Sequence, residues 1–304
     1  MKSKLVWHDG QYVPWDEATV SAFSHGMQRG ASVFDVGAFA LGKTGFHLFR
    51  GRDHVERFVR SANAIGLSIV HSIDHMLEVA RNLASRSGHD AGLVRWTAAV
   101  PTVQPDVVPI DTQACVSIAA YAPTDLWLEN LAPKRPDAYA VQIATTIRKA
   151  PPEVLPPHVK VSASYLGPML ARRRALEQGF NEVLLCNLKG FILEAPTSNV
   201  FWVKDGVLRT PPGREVLLGI TRESVIAIAA FLGIPFEEAP LTSEALRSAD
   251  EAFLTATSYP LMPIARVDDC VFDPPLPGDL TVRIRDALVA VIAGEPSPFC
   301  AWCD

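Results

Sequence analysis

The sequence predicts an α/β protein of the α+β kind, built as two domains, the N-terminal one smaller than the C-terminal one. Three observations lead there. The 304 residues suffice for one large or two ordinary domains. Short β-prone runs alternate with amphipathic stretches of helical period along the whole chain. A break at 122–136, with three prolines and no periodicity, reads as a linker. The expected division is therefore 1–121, a linker at 122–136, and 137–304.

Taken in order, Val6–Val13 reads as a hairpin, two β-prone runs about the Asp9-Gly10 turn. Ser24–Gly37 places His25, Arg29 and several small residues in a loop that feeds an apolar strand at 33–40, and such loops often approach a ligand. Phe49–Ala62 is an amphipathic helix with Val55, Phe58, Val59 and Ala62 on one face. A second helix is expected at 73–87, followed by strands at 92–100 and 113–121. Arg95 interrupts the first of those strands, so it should face a cavity or pair with a carboxylate. Beyond the linker come a strand at 138–147, a proline-stiffened loop at 148–157, a helix at 165–178 and strands at 181–186 and 191–194. A hairpin about Lys204-Asp205-Gly206 follows, then a helix at 222–232 with Thr221 as its N-cap, a strand at 251–258 and a terminal helix at 279–293.

Bulk properties exclude several functions. A net charge of −5 without a basic run argues against nucleic acid as the main partner. No segment has the apolar length of a membrane span, and the first residues lack a secretory apolar core. Five scattered cysteines fit reduced thiols and a cytoplasmic protein. Cys300-Ala301-Trp302-Cys303 has the form of a metal or redox pair, but without a second pair of ligands it reads as a frayed tail, and no metal site is expected.

Of the eight lysines, Lys160 stands apart. Pro156-Pro157 stiffens the approach to it, valines flank it, and a helix-like run follows, the pattern of a strand end aimed into the protein. An ammonium without a partner in such a place is costly, which favours loss of its proton and nucleophilic behaviour. Glu194 ends the apolar strand Phe191-Ile192-Leu193, where an acid is uncommon; it either faces solvent or holds a cation. Arg57 borders the apolar face of its helix, where its fork of donors could reach an anion. Gly219 and Thr221 open the helix at 222–232, and amides directed outward from a helix start make a phosphate seat.

The order of these motifs resembles one family. His54-Val55-Glu56-Arg57-Phe58, Lys160 with Tyr165 five residues on, Glu194-Ala195-Pro196-Thr197-Ser198-Asn199-Val200-Phe201, Gly219-Ile220-Thr221-Arg222 and Thr255-Ala256-Thr257-Ser258 are similar to the motifs of class IV (fold type IV) aminotransferases that use pyridoxal 5'-phosphate. The resemblance spans about residues 5 to 270. It implies a D-amino acid aminotransferase-like fold, a homodimer, and transfer of an amino group between an amino acid, branched-chain-like, and a 2-oxo acid. It implies that Lys160 condenses with the cofactor aldehyde and shuttles a proton, and that Glu194 meets the ring nitrogen. Arg57, the Gly219–Thr221 segment with Ile220, and Thr257 would share the phosphate, and Tyr165 would bond near the ring's phenolic oxygen.

Departures from the family pattern concern the substrate. Ala163-Ser164-Tyr165 stands where Gly-Asn-Tyr is usual, and Asp35-Val36 where Glu-Gly is usual. Arg29 and Leu93 take the places of pocket tyrosines. Phe34, Arg29, Arg95 and Ser258 are thus the candidate substrate-binding residues; Arg29 could bind a carboxylate or be neutralised by Asp35. The same scaffold also serves D-amino acid and (R)-selective amine aminotransferases and an aminodeoxychorismate lyase.

Overall fold

The computed structural model describes residues 5–43, 45–122, 135–273 and 276–303. Most of the expected linker lies outside the described residues. The chain forms two compact units. The first contains Met1–Lys134, Val159–Ala163 and Ala290–Asp304; the second contains Arg135–His158 and Ser164–Val289.

In the first unit β1 (Leu5–His8), β2 (Gln11–Pro14), β3 (Ser32–Gly42), β4 (Gly45–Phe49), β5 (Ala91–Ala99) and β6 (Cys115–Tyr121) form one antiparallel sheet in the order β2-β1-β6-β5-β3-β4. The β1–β2 turn is the expected one, with Asp9 and Gly10 both at positive φ, 46° and 103°. The loop before β3 contains a short helix α1 (His25–Arg29), with Ser24 as its N-cap. Helices α2 (Gly51–Ala64) and α3 (Ile73–Arg86) cover one face of the sheet. Val55, Phe58 and Ala62 of α2 are fully buried, as the 3.6-residue period requires. Each large apolar side chain buried in this way stabilises the fold by roughly 1.5–3 kcal/mol.

The second unit holds β7 (Tyr139–Arg148), α4 (Leu166–Glu177), β8 (Glu182–Cys186), β9 (Ile192–Glu194), β10 (Asn199–Lys204), β11 (Val207–Thr210), α5 (Ile220–Phe231), β12 (Phe236–Glu238), α6 (Ser243–Arg247), β13 (Glu251–Ala256), β14 (Tyr259–Val267), β15 (Cys270–Val271) and most of α7 (Asp279–Ile292). The strand order is β12-β11-β10-β13-β14-β7-β8-β9. Because β9 also pairs with β10, through Glu194 and Asn199, six strands close on themselves. Trp202, Leu254 and Ile264 are among the residues that fill this core.

Three expectations change. The lysine segment 159–163 belongs to the first unit, because Val161 pairs with Val33 and the Ser32 hydroxyl donates to Ser162 Oγ at 2.7 Å. The tail is not frayed: a bridge joins Phe49 and Cys303, the Arg50 amide donates to the Trp302 carbonyl, and the Arg50 guanidinium lies over the indole of Trp302. Thr221 is not an N-cap, since Gly219 takes the extended cap conformation and Thr221 is already helical.

Glu251 of β13 caps α7, accepting from the amides of Leu280 and Thr281 at 3.1 and 2.8 Å. Glu251→Ala should cost about 1 kcal/mol in urea unfolding; an unchanged midpoint would show that the cap contributes nothing.

Candidate active site

In the first unit, strand alternation sends Asp35 of β3 toward α2 and Phe34 to the opposite face. Asp35 is fully buried. Arg57 donates to it through two nitrogens, Nε to Oδ2 at 2.7 Å and Nη2 to Oδ1 at 2.8 Å. His54 Nδ1 lies 2.7 Å from Oδ1. Burial alone would raise the Asp35 pKa, but the charge and hydrogen bonds of Arg57, with those of His54, hold it well below the usual carboxylate range. An ionised carboxylate only accepts, so Nδ1 of His54 carries the proton. Burial keeps that imidazole neutral by lowering its pKa, against the pull of Asp35 and with the nearby charges of Arg57 and Lys160 adding to the effect.

The same two elements hold the backbone of Lys160. Its amide donates to Ser61 Oγ of α2 at 3.0 Å, and its carbonyl accepts from the Phe34 amide of β3 at 3.3 Å. Lys160 is half-buried in a loop that makes a single β-bridge at Val161, not at the end of a strand. Its Nζ lies 4.9 Å from the centre of the Phe34 ring, and the Arg95 guanidinium lies 4.6 Å from the same ring. Arg95 satisfies the first of its two expectations: with Val6, Trp15, Thr97, Ser117 and Tyr121 it lines a cleft of about 300 Å³. Leu93, a neighbour in β5, is buried.

In the second unit Glu194 sits where β9 meets β10. Of the two readings open to it, the structure shows the second: Oε1 accepts from the Lys149 ammonium. Oε2 accepts from Asn199 Nδ2 and from the Leu217 amide, each at 3.1 Å. Asn199 Nδ2 also reaches the Leu217 carbonyl at 3.0 Å, which ties the carboxylate to the turn before α5. Gly219 closes that turn; a Cβ built there would stand 2.2 Å from Asn199 Oδ1. No side chain of the N-cap covers the first turn of α5, where Ile220 and Thr221 are buried. Opposite Asn199 across the sheet, the buried Thr255 hydroxyl has no partner among the described residues.

The remaining predicted residues are more dispersed. Thr257 and Ser258 form the half-buried β13–β14 turn, and the Ser258 carbonyl accepts from Arg135 at 2.8 Å. Tyr165 ends the short helical turn Ser162–Tyr165 ahead of α4. Arg29 is exposed and donates to the Pro105 carbonyl at 3.2 Å, so it is not the residue that Asp35 neutralises. Asp35, His54, Ser61 and Lys149 were missed as site residues. Two of them had a signal: positions 54 and 61 lie three residues before and four after Arg57 and share its face of α2.

Asp35→Asn would leave Arg57 buried without its counter-ion, a loss of about 3–5 kcal/mol. The pKa of Asp35 is lower folded than unfolded, so its contribution is complete above about pH 4 and is lost as the pH falls below that. Urea titrations at pH 7 and pH 3 should show a smaller pH effect in the variant; equal stability of the two proteins at pH 7 would refute the assignment.

Residues 32–267 match the family model for class IV amino-transferases. The branched-chain-amino-acid aminotransferase of Salmonella typhimurium is 30% identical over all of this chain and 97% of its own length. The crystal structure of the branched-chain aminotransferase from Thermoproteus uzoniensis with norvaline, also 30% identical, superposes with a TM-score of 0.89 over 99% of both chains. That from Thermobaculum terrenum in its PLP form, 25% identical, gives 0.89 over 100% of this chain and 98% of its own. With fold, motifs and relatives in agreement over nearly the full length, the chain belongs to the class IV aminotransferases, enzymes of fold type IV.

Proposed function

We propose that this aminotransferase uses pyridoxal 5'-phosphate to move the amino group of a branched-chain or similar aliphatic amino acid to a 2-oxo acid. The observation that carries this reading is the carboxylate of Glu194, aimed by two donors on Oε2. Its oxygens offer about four acceptor positions, three of them used. One remains for the protonated nitrogen of a pyridine ring. The Gly219 turn suits the other end of the cofactor, because the positive end of the dipole at a helix start favours a phosphate.

When bound, the cofactor supplies an electron sink for the bonds at the amino-bearing carbon. The protein's part is divided among named groups. Lys160 offers the amine that joins the cofactor and then moves a proton at the substrate carbon, its backbone fixed by Ser61 and Phe34. Glu194 keeps a proton on the ring nitrogen. The Gly219, Ile220 and Thr221 segment and the Thr257 hydroxyl hold phosphate, with Arg57 as a further donor, while Tyr165 bonds the ring oxygen.

For the substrate, Phe34 and buried Leu93 supply apolar surface, while Arg95, in its cleft, suits a second carboxylate such as that of 2-oxoglutarate. Branched-chain relatives favour the aliphatic donor. Exposed Phe23, Met27, Val107, Val108 and Ile110 support a homodimer. The cysteines are free, which fits the cytoplasm, and among the described residues no helix is long and apolar enough to cross a membrane.

A panel of L- and D-amino donors against pyruvate and 2-oxoglutarate should give turnover with L-aliphatic donors and only when an acceptor is present; turnover without acceptor would mean a lyase. Lys160→Ala should lower kcat by about a thousandfold or more. Gly219→Ala should displace Asn199, and with it Glu194, cutting kcat about tenfold or more while the protein stays folded. Wild-type rates in either variant would overturn that residue's role.

A further inference from the structure

The ammonium on Glu194 has no place in the roles assigned so far. Lys149 follows β7 directly, and its backbone amide donates to the Cys186 carbonyl at the end of β8 at 3.0 Å, so its side chain starts from a fixed point. Its Nζ donates to Oε1 of Glu194 and, at 2.8 Å, to the Glu215 carbonyl. The two side chains are only 15% and 12% exposed. Asn199 and the Leu217 amide already fix the plane of the carboxylate through Oε2, and both are neutral donors. What Lys149 adds at Oε1 is therefore charge more than aim. A carboxylate that already carries a cation attracts a second one less strongly.

We propose that Lys149 is a positioning residue that acts through Glu194 as a resident counter-ion, competing for Oε1 with the protonated ring nitrogen and loosening the protein's hold on it. This rests on the reading that pyridoxal phosphate is the cofactor. It separates two effects that a bare carboxylate would combine, orientation of the ring and retention of its proton: Asn199 and Leu217 provide the first, and Lys149 limits the second.

Removing the charge while keeping a donor should tighten cofactor binding, the reverse of what loss of a merely structural contact would do. Equilibrium dialysis of pyridoxal phosphate against Lys149→Gln should give a Kd about threefold or more below that of the unaltered protein. Lys149→Arg should restore the original value, and in a Glu194→Gln background the Lys149→Gln change should have no effect. Bound cofactor labelled with nitrogen-15 at the ring should hold its proton to higher pH in Lys149→Gln. If Lys149→Gln does not fold, Lys149→Met is measured in the same way. A Kd equal to or weaker than the original, or tightening that persists without the Glu194 carboxylate, overturns the proposal. Failure of the unaltered protein to bind pyridoxal phosphate at all would instead overturn the cofactor reading.

Discussion

The carboxylate of Asp35 has no exposed surface, and it is surrounded by two donors of Arg57 and the imidazole of His54. A charge so deeply buried is tolerated only when paired and hydrogen-bonded, so this cluster locks β3 to α2 in one register. Those are also the two elements that grip the backbone of Lys160, by way of Phe34 on the strand and Ser61 on the helix. The ion pair thus braces the chain around Lys160, and the placement of that residue depends on a cluster one layer behind it.

The second unit uses a different device for a similar end. Its strands close through a single pairing of Glu194 with Asn199, and that pairing carries the acid itself. Closure of the sheet and aim of the carboxylate are one event, because Asn199 bonds both Glu194 and the Leu217 turn that leads into α5. Gly219 is required there by space: its missing Cβ is the room that Asn199 occupies. A carboxylate supported in this way keeps its orientation without rearrangement of its surroundings.

Much of this was legible in the residues, and the limits have physical causes. Helix α2 and the Asp9-Gly10 hairpin follow from local period and turn chemistry, so they stand almost where expected. The motif order pointed to Lys160, Glu194 and the Gly219 segment because each is a local pattern. Partners that come from distant parts of the chain were not legible: Lys149 is 45 residues from Glu194, and nothing nearby marks it as that acid's cation. Asp35 could be seen as a candidate partner for an arginine, but Arg57 competes for it with better geometry than Arg29. The lysine segment and the tail were misplaced for a related reason, since long-range strand bridges to Val33 and Phe49 decide where they lie.

We propose that the amine of Lys160, whose backbone is fixed by α2 and β3, is the group that joins the cofactor. Borohydride reduction of the pyridoxal phosphate-loaded protein, followed by peptide mapping, tests it most directly. The label should be recovered on the peptide containing Lys160; recovery on another lysine, or on none, would contradict the account.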